Sequence, residues 1–258
     1  IDNVEPHEHH LTDKPFNRYY LHSVDGFVYM SEQVHSELRA YSDAPALFSP
    51  HPLFENFGER VERSEACVRL GLDPANRYVL FFGLIRDYKG LDLLLDAWAQ
   101  LRRAGRTEGR RLIVAGEFYT AREPYLNRIA DNGLQDEVLL HDRFIPDDDV
   151  KYYFSAADFV VQPYKTATQS GVTQIAYQFC VPMVVTKVGG LAEIVPDGRV
   201  GYVCEPTPEG VAGAIERMYE GDTLQRFREN CVEERRRFSW EEMCSRITEL
   251  YGLVASGK

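Results

Sequence analysis

The chain has 258 residues, 44% hydrophobic and 27% charged, which excludes a disordered, collagen-like or disulfide-framework protein. Its 29 Lys and Arg against 40 Asp and Glu leave a net charge of −11, which argues against a general nucleic-acid binder but leaves room for a local basic pocket. No apolar run approaches the ~18 residues of a membrane span. The five cysteines (Cys67, Cys180, Cys204, Cys231, Cys244) are odd in number and form no C-x-x-C pair, so reduced, mostly buried thiols in a cytoplasmic protein are expected, a secreted disulfide protein being the alternative. No signal peptide is visible, and the chain opens on Ile1, so its true start is expected upstream.

In chain order, Asp25-Gly-Phe-Val-Tyr-Met30 and Pro45-Ala-Leu-Phe48 read as strands with a helix over 32–38 between them, and Pro50-His-Pro52 breaks the pattern. Two parallel strands and one helix are too little to enclose a core. Residues 1–49 are therefore expected to close a second, partial α/β domain, and 50–58 to be a hinge. Tyr78-Val-Leu-Phe-Phe82 and Arg111-Leu-Ile-Val-Ala115 are apolar runs ended by Gly83 and Gly116, as in strands covered on both faces. Leu91, Leu94, Leu95, Trp98 and Leu101 recur at helical spacing. A helix follows over 125–131, a strand over 138–140, and a helix capped by Asp147 that carries Val150, Tyr153, Phe154 and Ala157. Phe159-Val-Val-Gln162 is a strand stopped by Pro163, 173–179 a helix and 183–186 a strand. Thr207-Pro208 opens a helix with Val211, Ala214, Ile215 and Met218. Ser239-Trp-Glu-Glu242 is a capping box for a last helix with Met243, Ile247, Leu250 and Tyr251 inward.

Repeated βα units predict an α/β fold, a Rossmann-like parallel sheet with helices on both faces, over 59–238, with 239–258 a helix packing back. Ligands of such sheets bind beyond the carboxyl ends of the strands, which directs attention to the loops after Phe82, Ala115, Leu140, Pro163 and Thr186.

Three of those loops carry chemistry. In Phe81-Phe-Gly-Leu-Ile-Arg-Asp-Tyr-Lys-Gly90, Gly83 turns the backbone and two cations, Arg86 and Lys89, stand at a strand's carboxyl end, where charge would meet a diphosphate; the plain alternative is a solvated loop. Pro163-Tyr-Lys-Thr-Ala-Thr-Gln-Ser-Gly-Val-Thr173 is small, polar and precedes a helix whose free amides would face an anion; otherwise it is an ordinary polar loop. Val188-Gly-Gly-Leu-Ala-Glu193 holds paired glycines that allow close backbone approach to a ligand, or a tight turn.

Residues 76–252 resemble the nucleotide-sugar-binding domain of GT-B glycosyltransferases, specifically the retaining group 1 family, family 4. The resemblance rests on an ordered set: Phe82-Gly83, Lys89-Gly90, Val160-Val-Gln-Pro163, the small-residue helix from Ala176 into Val185, Gly189-Gly190 with Glu193, Asp197-Gly198, Gly201, and Phe238-Ser-Trp240. Residues 3–8 and His51-Pro52 resemble a bacterial branch of that family, at the end of its acceptor domain and the crossover. The resemblance implies donor contacts at Gly83, Gln169, Ser170, Gly171, Val172, Thr173, Gln174, Gly189, Gly190 and Glu193, with Arg86 and Lys89 as the candidate catalytic groups. Three positions depart from it. The arginine usual after the strand glycine is Leu84, its place taken by Arg86. The usual glutamate pair falls near Ala167 and Ile175, where Gln169 and Gln174 can replace hydrogen bonds but not charge. Asp2 stands where many relatives have histidine.

Other features read more plainly. His7-Glu-His-His10 is not H-E-x-x-H and is expected to be an exposed loop rather than a metal site. Arg102, Arg103, Arg106, Arg110 and Arg111, and again Arg235-Arg-Arg237, read as solvated helix-end cations, with contact to anionic lipid at the inner membrane as the alternative. No Asp-x-Asp metal motif stands in a βα loop, and Asp147-Asp-Asp149 reads as a cap, so no metal or other cofactor is expected to be required.

The expected function is retaining transfer of a sugar from a UDP- or GDP-sugar to a hydroxyl of a glycan, glycolipid or polysaccharide precursor. The partners are then the nucleotide-sugar donor and a glycan or lipid-linked acceptor, with no nucleic acid and an undefined oligomeric state. A GT-B-fold nucleotide-sugar epimerase and a non-catalytic sugar-nucleotide-binding fragment are the alternatives.

Overall fold

In the computed structural model the described residues are 1, 3–4 and 13–257, so the His7–His10 cluster, Asp2 and most of the 3–8 segment lie outside them. The order is α1 (Asp13–His22), β1 (Phe27–Tyr29), α2 (Glu32–Arg39), β2 (Ala46–Phe48), α3 (Arg63–Leu70), β3 (Arg77–Phe82), α4 (Leu91–Arg103), β4 (Arg110–Ala115), α5 (Glu123–Asp131), β5 (Val138–His141), α6 (Asp147–Ala156), β6 (Phe159–Gln162), α7 (Gly171–Gln178), β7 (Met183–Thr186), α8 (Leu191–Ile194), β8 (Gly201–Cys204), α9 (Pro208–Met218), α10 (Thr223–Glu234) and α11 (Trp240–Ser256).

Six strands form one all-parallel sheet in the order β5-β4-β3-β6-β7-β8, and β1 and β2 form a separate parallel pair. The large sheet is built as its sequence dictates. Strand side chains alternate between faces, so Tyr78 and Leu80 of β3 enter one core with Val160, Met183 and Phe154. Val79 and Phe81 enter the other with Trp98, Leu94 and Ile215. The chain steps outward from β3 to β5, then returns to β6 beside β3 and steps the other way. The order therefore reverses between β3 and β6, where a crevice opens at the carboxyl ends. At the opposite end, the buried carboxylate of Asp158 ties the sheet together. It accepts from the Tyr78 amide at 2.9 Å and pairs with Arg63 at 3.2 Å and Arg77 at 3.6 Å.

Several details differ from the sequence reading. Asp147 is the first helical residue of α6 and Pro146 the cap; the three acids fill the first turn, where the helix dipole favours them. Ser239 does cap α11, accepting from the Glu242 amide at 3.1 Å, but the Glu242 carboxylate turns to Arg246 instead of closing the box. Of the α11 residues expected inward, Met243 is buried, whereas Ile247 and Tyr251 are 51% and 74% exposed. This helix lies along the two-stranded unit, where Leu250 and Val254 close on Gly26, and that narrow face cannot cover a wider stripe. The periodicity reading also missed β8 and α10. The first is four residues long. The second turns only Thr223, Phe227 and Cys231 fully inward, too thin a signal to see. All five cysteines are free thiols, Cys67 and Cys231 buried and Cys244 exposed. Tyr153 and Phe154 are core, and the arginines of the α4–β4 turn are largely engaged: Arg102 with Glu137, Arg106 with Glu216, Arg110 over the Tyr219 ring. Among the described residues no helix is long and apolar enough to cross a membrane.

Candidate functional site

The crevice is floored by backbone packed on backbone. Gly83 follows β3 at φ +99°, its amide bonded to the Ala115 carbonyl. Gly90 adopts φ +69°, and a Cβ there would lie 1.9 Å from the Pro163 carbonyl oxygen, so the β3 loop and the β6 loop touch in a way only glycine permits. Gly189, at φ +48°, leaves 1.5 Å between a would-be Cβ and the Ala167 oxygen, which locks the β7 loop onto the β6 loop.

Lys89 is directed into this floor. Its Nζ lies 3.3 Å from the Cβ position of Gly83, with the Val172 methyl 3.5 Å from the same point, and stands over the Tyr164 ring at 5.9 Å. Burial, and then the neighbouring Arg86 guanidinium, pull its pKa from 10.5 down to about 8. Arg86 also stacks over Tyr119 of the β4–α5 loop at 5.2 Å. Asp87, between them in sequence, is held by Thr120 at 2.9 Å and Tyr125 at 3.0 Å. The loop is therefore fastened through Asp87, with the Lys89 amine turned to the crevice floor.

Across the crevice stands the start of α7. Ser170 is the cap residue, but its hydroxyl meets Tyr164 at 3.1 Å rather than the helix amides, which leaves the first turn without a side-chain cap. Gly171 lies against the Phe54 ring. Thr173 and Gln174 point into the protein. Thr173 donates to Gln162 at 3.1 Å; Gln174 is 1% exposed, and neither its Oε1 nor its Nε2 has a partner among the described residues.

The remaining predicted residues form a second group facing the two-stranded unit. Gln169 donates to the Met30 carbonyl, Glu193 accepts from the Glu32 amide at 3.2 Å, and Gly190 is pressed between Thr168 and Ser31. Thr168 also donates to Asn3 at 2.5 Å. So Gly83, Arg86, Lys89, Ser170, Gly171 and Val172 meet at the strand ends, whereas Gln169, Gly189, Gly190 and Glu193 line the boundary between the two units.

Sequence reasoning missed the buried polar layer beneath the loop. Gln162 ends β6 at 1% exposure, its Nε2 without a partner among the described residues, and Thr186 donates to the Tyr164 carbonyl at 2.6 Å. A glutamine in an otherwise apolar strand was the available signal. Among the described residues no group of three His, Cys, Asp or Glu side chains is placed to hold a metal ion.

A six-stranded parallel sheet with helices on both faces and its reversal between β3 and β6 has the form of a GT-B domain. The chain belongs to the family described as glycosyl transferases group 1, whose profile covers residues 76–221. It is 31% identical over 245 residues to D-inositol 3-phosphate glycosyltransferase 2 of Catenulispora acidiphila, covering 89% of this chain and 56% of that protein. A second relative, the D-inositol 3-phosphate glycosyltransferase of Segniliparus rotundus, is 31% identical over 202 residues, 76% of this chain and 44% of its own length. The chain thus spans about half the length of these relatives. Among solved structures, Anabaena HepE in complex with UDP superposes with a TM-score of 0.80 at 18% identity, over 98% of this chain and 71% of that one. Sucrose-phosphate synthase from Thermosynechococcus elongatus gives 0.79 at 21% identity, over 97% and 63%.

Proposed function

We propose that the chain carries the donor-binding half of a retaining glycosyltransferase that moves a sugar from a nucleoside-diphosphate sugar to a hydroxyl acceptor. The observation that carries this is the desolvated Lys89 amine, beside Gly83, opposite the uncapped start of α7. The chemical difficulty of such transfer is the charge that grows on the departing diphosphate. Preorganised donors aimed at that charge answer it, one lost donor costing about 3 kcal/mol. Lys89 and Arg86 supply cations, and the amides of Gly171 and Val172 supply the helix-end dipole. A diphosphate would also return Lys89 to full protonation, because an adjacent anion favours the charged amine.

The resemblance implies a front-face substitution in which the leaving phosphate helps deprotonate the acceptor. UDP is the preferred nucleotide, since the HepE neighbour was solved with UDP and with UDP-glucose; GDP is the second choice. The relatives' names make a phosphorylated polyol one acceptor class to test beside glycans and lipid-linked sugars. In this reading residues 59–238 bind the donor, 50–58 are the hinge and 1–49 close the acceptor domain.

The test is calorimetric titration of the chain with UDP, GDP and their sugars, followed by product analysis with radiolabelled donor and the full-length protein. UDP binding and a glycosylated acceptor with retained anomeric configuration are expected. Absence of nucleotide binding overturns the reading, and an epimerised free sugar with released UDP assigns an epimerase instead.

A further inference from the structure

A second basic site lies away from the crevice, where the chain crosses from the two-stranded unit to the large sheet. Phe48, Ser49 and Pro50 of the crossover, with Arg236, Arg237, Glu242 and Arg246, line an open pocket of about 400 Å3. Three guanidinium groups and one carboxylate line it, in a chain of net charge −11.

The three arginines are not equivalent. Arg237 is paired with Glu234 at 2.8 Å, and Arg246 bridges Glu242 and Glu249, both at 3.1 Å. The Arg236 guanidinium has no carboxylate partner among the described residues. Ser49, 2% exposed, anchors its amide-bearing strand end to the Tyr29 carbonyl at 2.9 Å, which holds the crossover wall in place. On the other wall, the Leu53 amide is bonded to the Phe238 carbonyl at 2.9 Å, and the Ser239 cap fixes the start of α11. Both walls are thus tied by hydrogen bonds, and Arg236 lines the space between them.

We propose that this cavity binds a phosphoryl anion, held by Arg236 with Arg246 and Arg237. Arginine's planar fork suits tetrahedral oxyanions, and an unpaired guanidinium beside two partly shared ones offers donors without a competing carboxylate of its own. The phosphoryl group can come from a free phosphate or phosphorylated metabolite, or from an anionic lipid headgroup; the cavity chemistry is the same. This site is separate from the donor crevice, because none of its lining residues belongs to the β3, β6 or β7 loops.

The test uses the whole chain with inorganic phosphate and pyrophosphate in titration calorimetry, at ionic strength matched with chloride, with the donor crevice saturated by UDP or disabled by Lys89→Ala. The second arm is co-sedimentation with vesicles of phosphatidylglycerol against phosphatidylcholine. Arg236→Ala removes a side chain with no internal ion pair and so leaves folding intact; Arg236→Glu reverses its charge. Phosphate binding that survives Lys89→Ala, weakens roughly tenfold in Arg236→Ala and disappears in Arg236→Glu supports the site with a free phosphate as its source. Vesicle binding that follows the same order, without binding of free phosphate, supports the site with a headgroup as its source. Phosphate or vesicle binding that is indifferent to both Arg236 variants, or no binding in either arm, overturns it.

Discussion

Gly90 and Pro163 come closer than any side chain between them would allow: a Cβ on Gly90 would stand 1.9 Å from the Pro163 carbonyl oxygen. That contact joins the loop carrying Arg86 and Lys89 to the loop that leads into α7. Gly90→Ala must push the two apart and also strain a φ of +69°. We expect a loss of about 2–4 kcal/mol in urea unfolding. Gly71 has the same φ with nothing within 4 Å of a would-be Cβ, so Gly71→Ala isolates the dihedral cost and should lose only about 1 kcal/mol. Equal losses in the two variants would show that the loop contact is not what Gly90 secures.

Lys89→Ala, and separately Arg86→Ala, should weaken UDP or GDP binding roughly tenfold or more without lowering the unfolding midpoint below that of the parent chain. Unchanged affinity in both, by calorimetry, removes the cations from the donor site.

Lys89 also makes stability depend on pH. Its folded pKa is about 8 against 10.5 for the free side chain. Between those values the unfolded chain holds a proton that the folded chain lacks, so this group's destabilising effect is full below about pH 8 and fades as pH rises toward 10.5. Lys89→Met should therefore be more stable than the parent near neutral pH, with the gap closing in alkali, while it binds UDP poorly throughout. In the parent, UDP affinity should fall as pH rises through about 8, because binding then requires proton uptake. Denaturation and titration at a series of pH values measure both slopes. A parent chain and a Lys89→Met variant with parallel pH–stability curves would refute the desolvated-lysine account.

Gln174 leaves both side-chain polar atoms buried and unpartnered. Replacing it with the isosteric Met removes that penalty, for a gain of about 1–2 kcal/mol. If its amide serves the donor, UDP affinity falls in the same variant. A thermal midpoint that drops instead would mean the glutamine is satisfied within the protein and has no task in the crevice.

EDTA should leave UDP affinity unchanged, since Arg86, Lys89 and the α7 amides are placed to carry the diphosphate charge. Loss of binding that only Mg²⁺ or Mn²⁺ restores would show that these groups do not suffice.

Local pattern was enough for the strands β3, β4, β6 and β7 and for the loops that end them. A buried parallel strand is a continuous apolar run, and the glycine that stops it is dictated by its own backbone. By the same logic Gly83, Lys89 and Gly90 were legible as one turn, whereas the helix read over 173–179 begins two residues earlier, at Gly171. The sequence could not show which residues of the β6 and β7 loops face the crevice and which face the other unit. Gln169 meets Met30 and Glu193 meets the Glu32 amide across 139 and 161 residues of chain, contacts that no periodicity encodes. Nor could it show that Arg86 and burial together strip Lys89 of its ordinary pKa, because desolvation is a property of what packs around a side chain. The order β5-β4-β3-β6-β7-β8, which puts the β3 and β6 loops side by side, likewise arises only when the sheet assembles, since strand neighbours are chosen by the packing of helices on both faces.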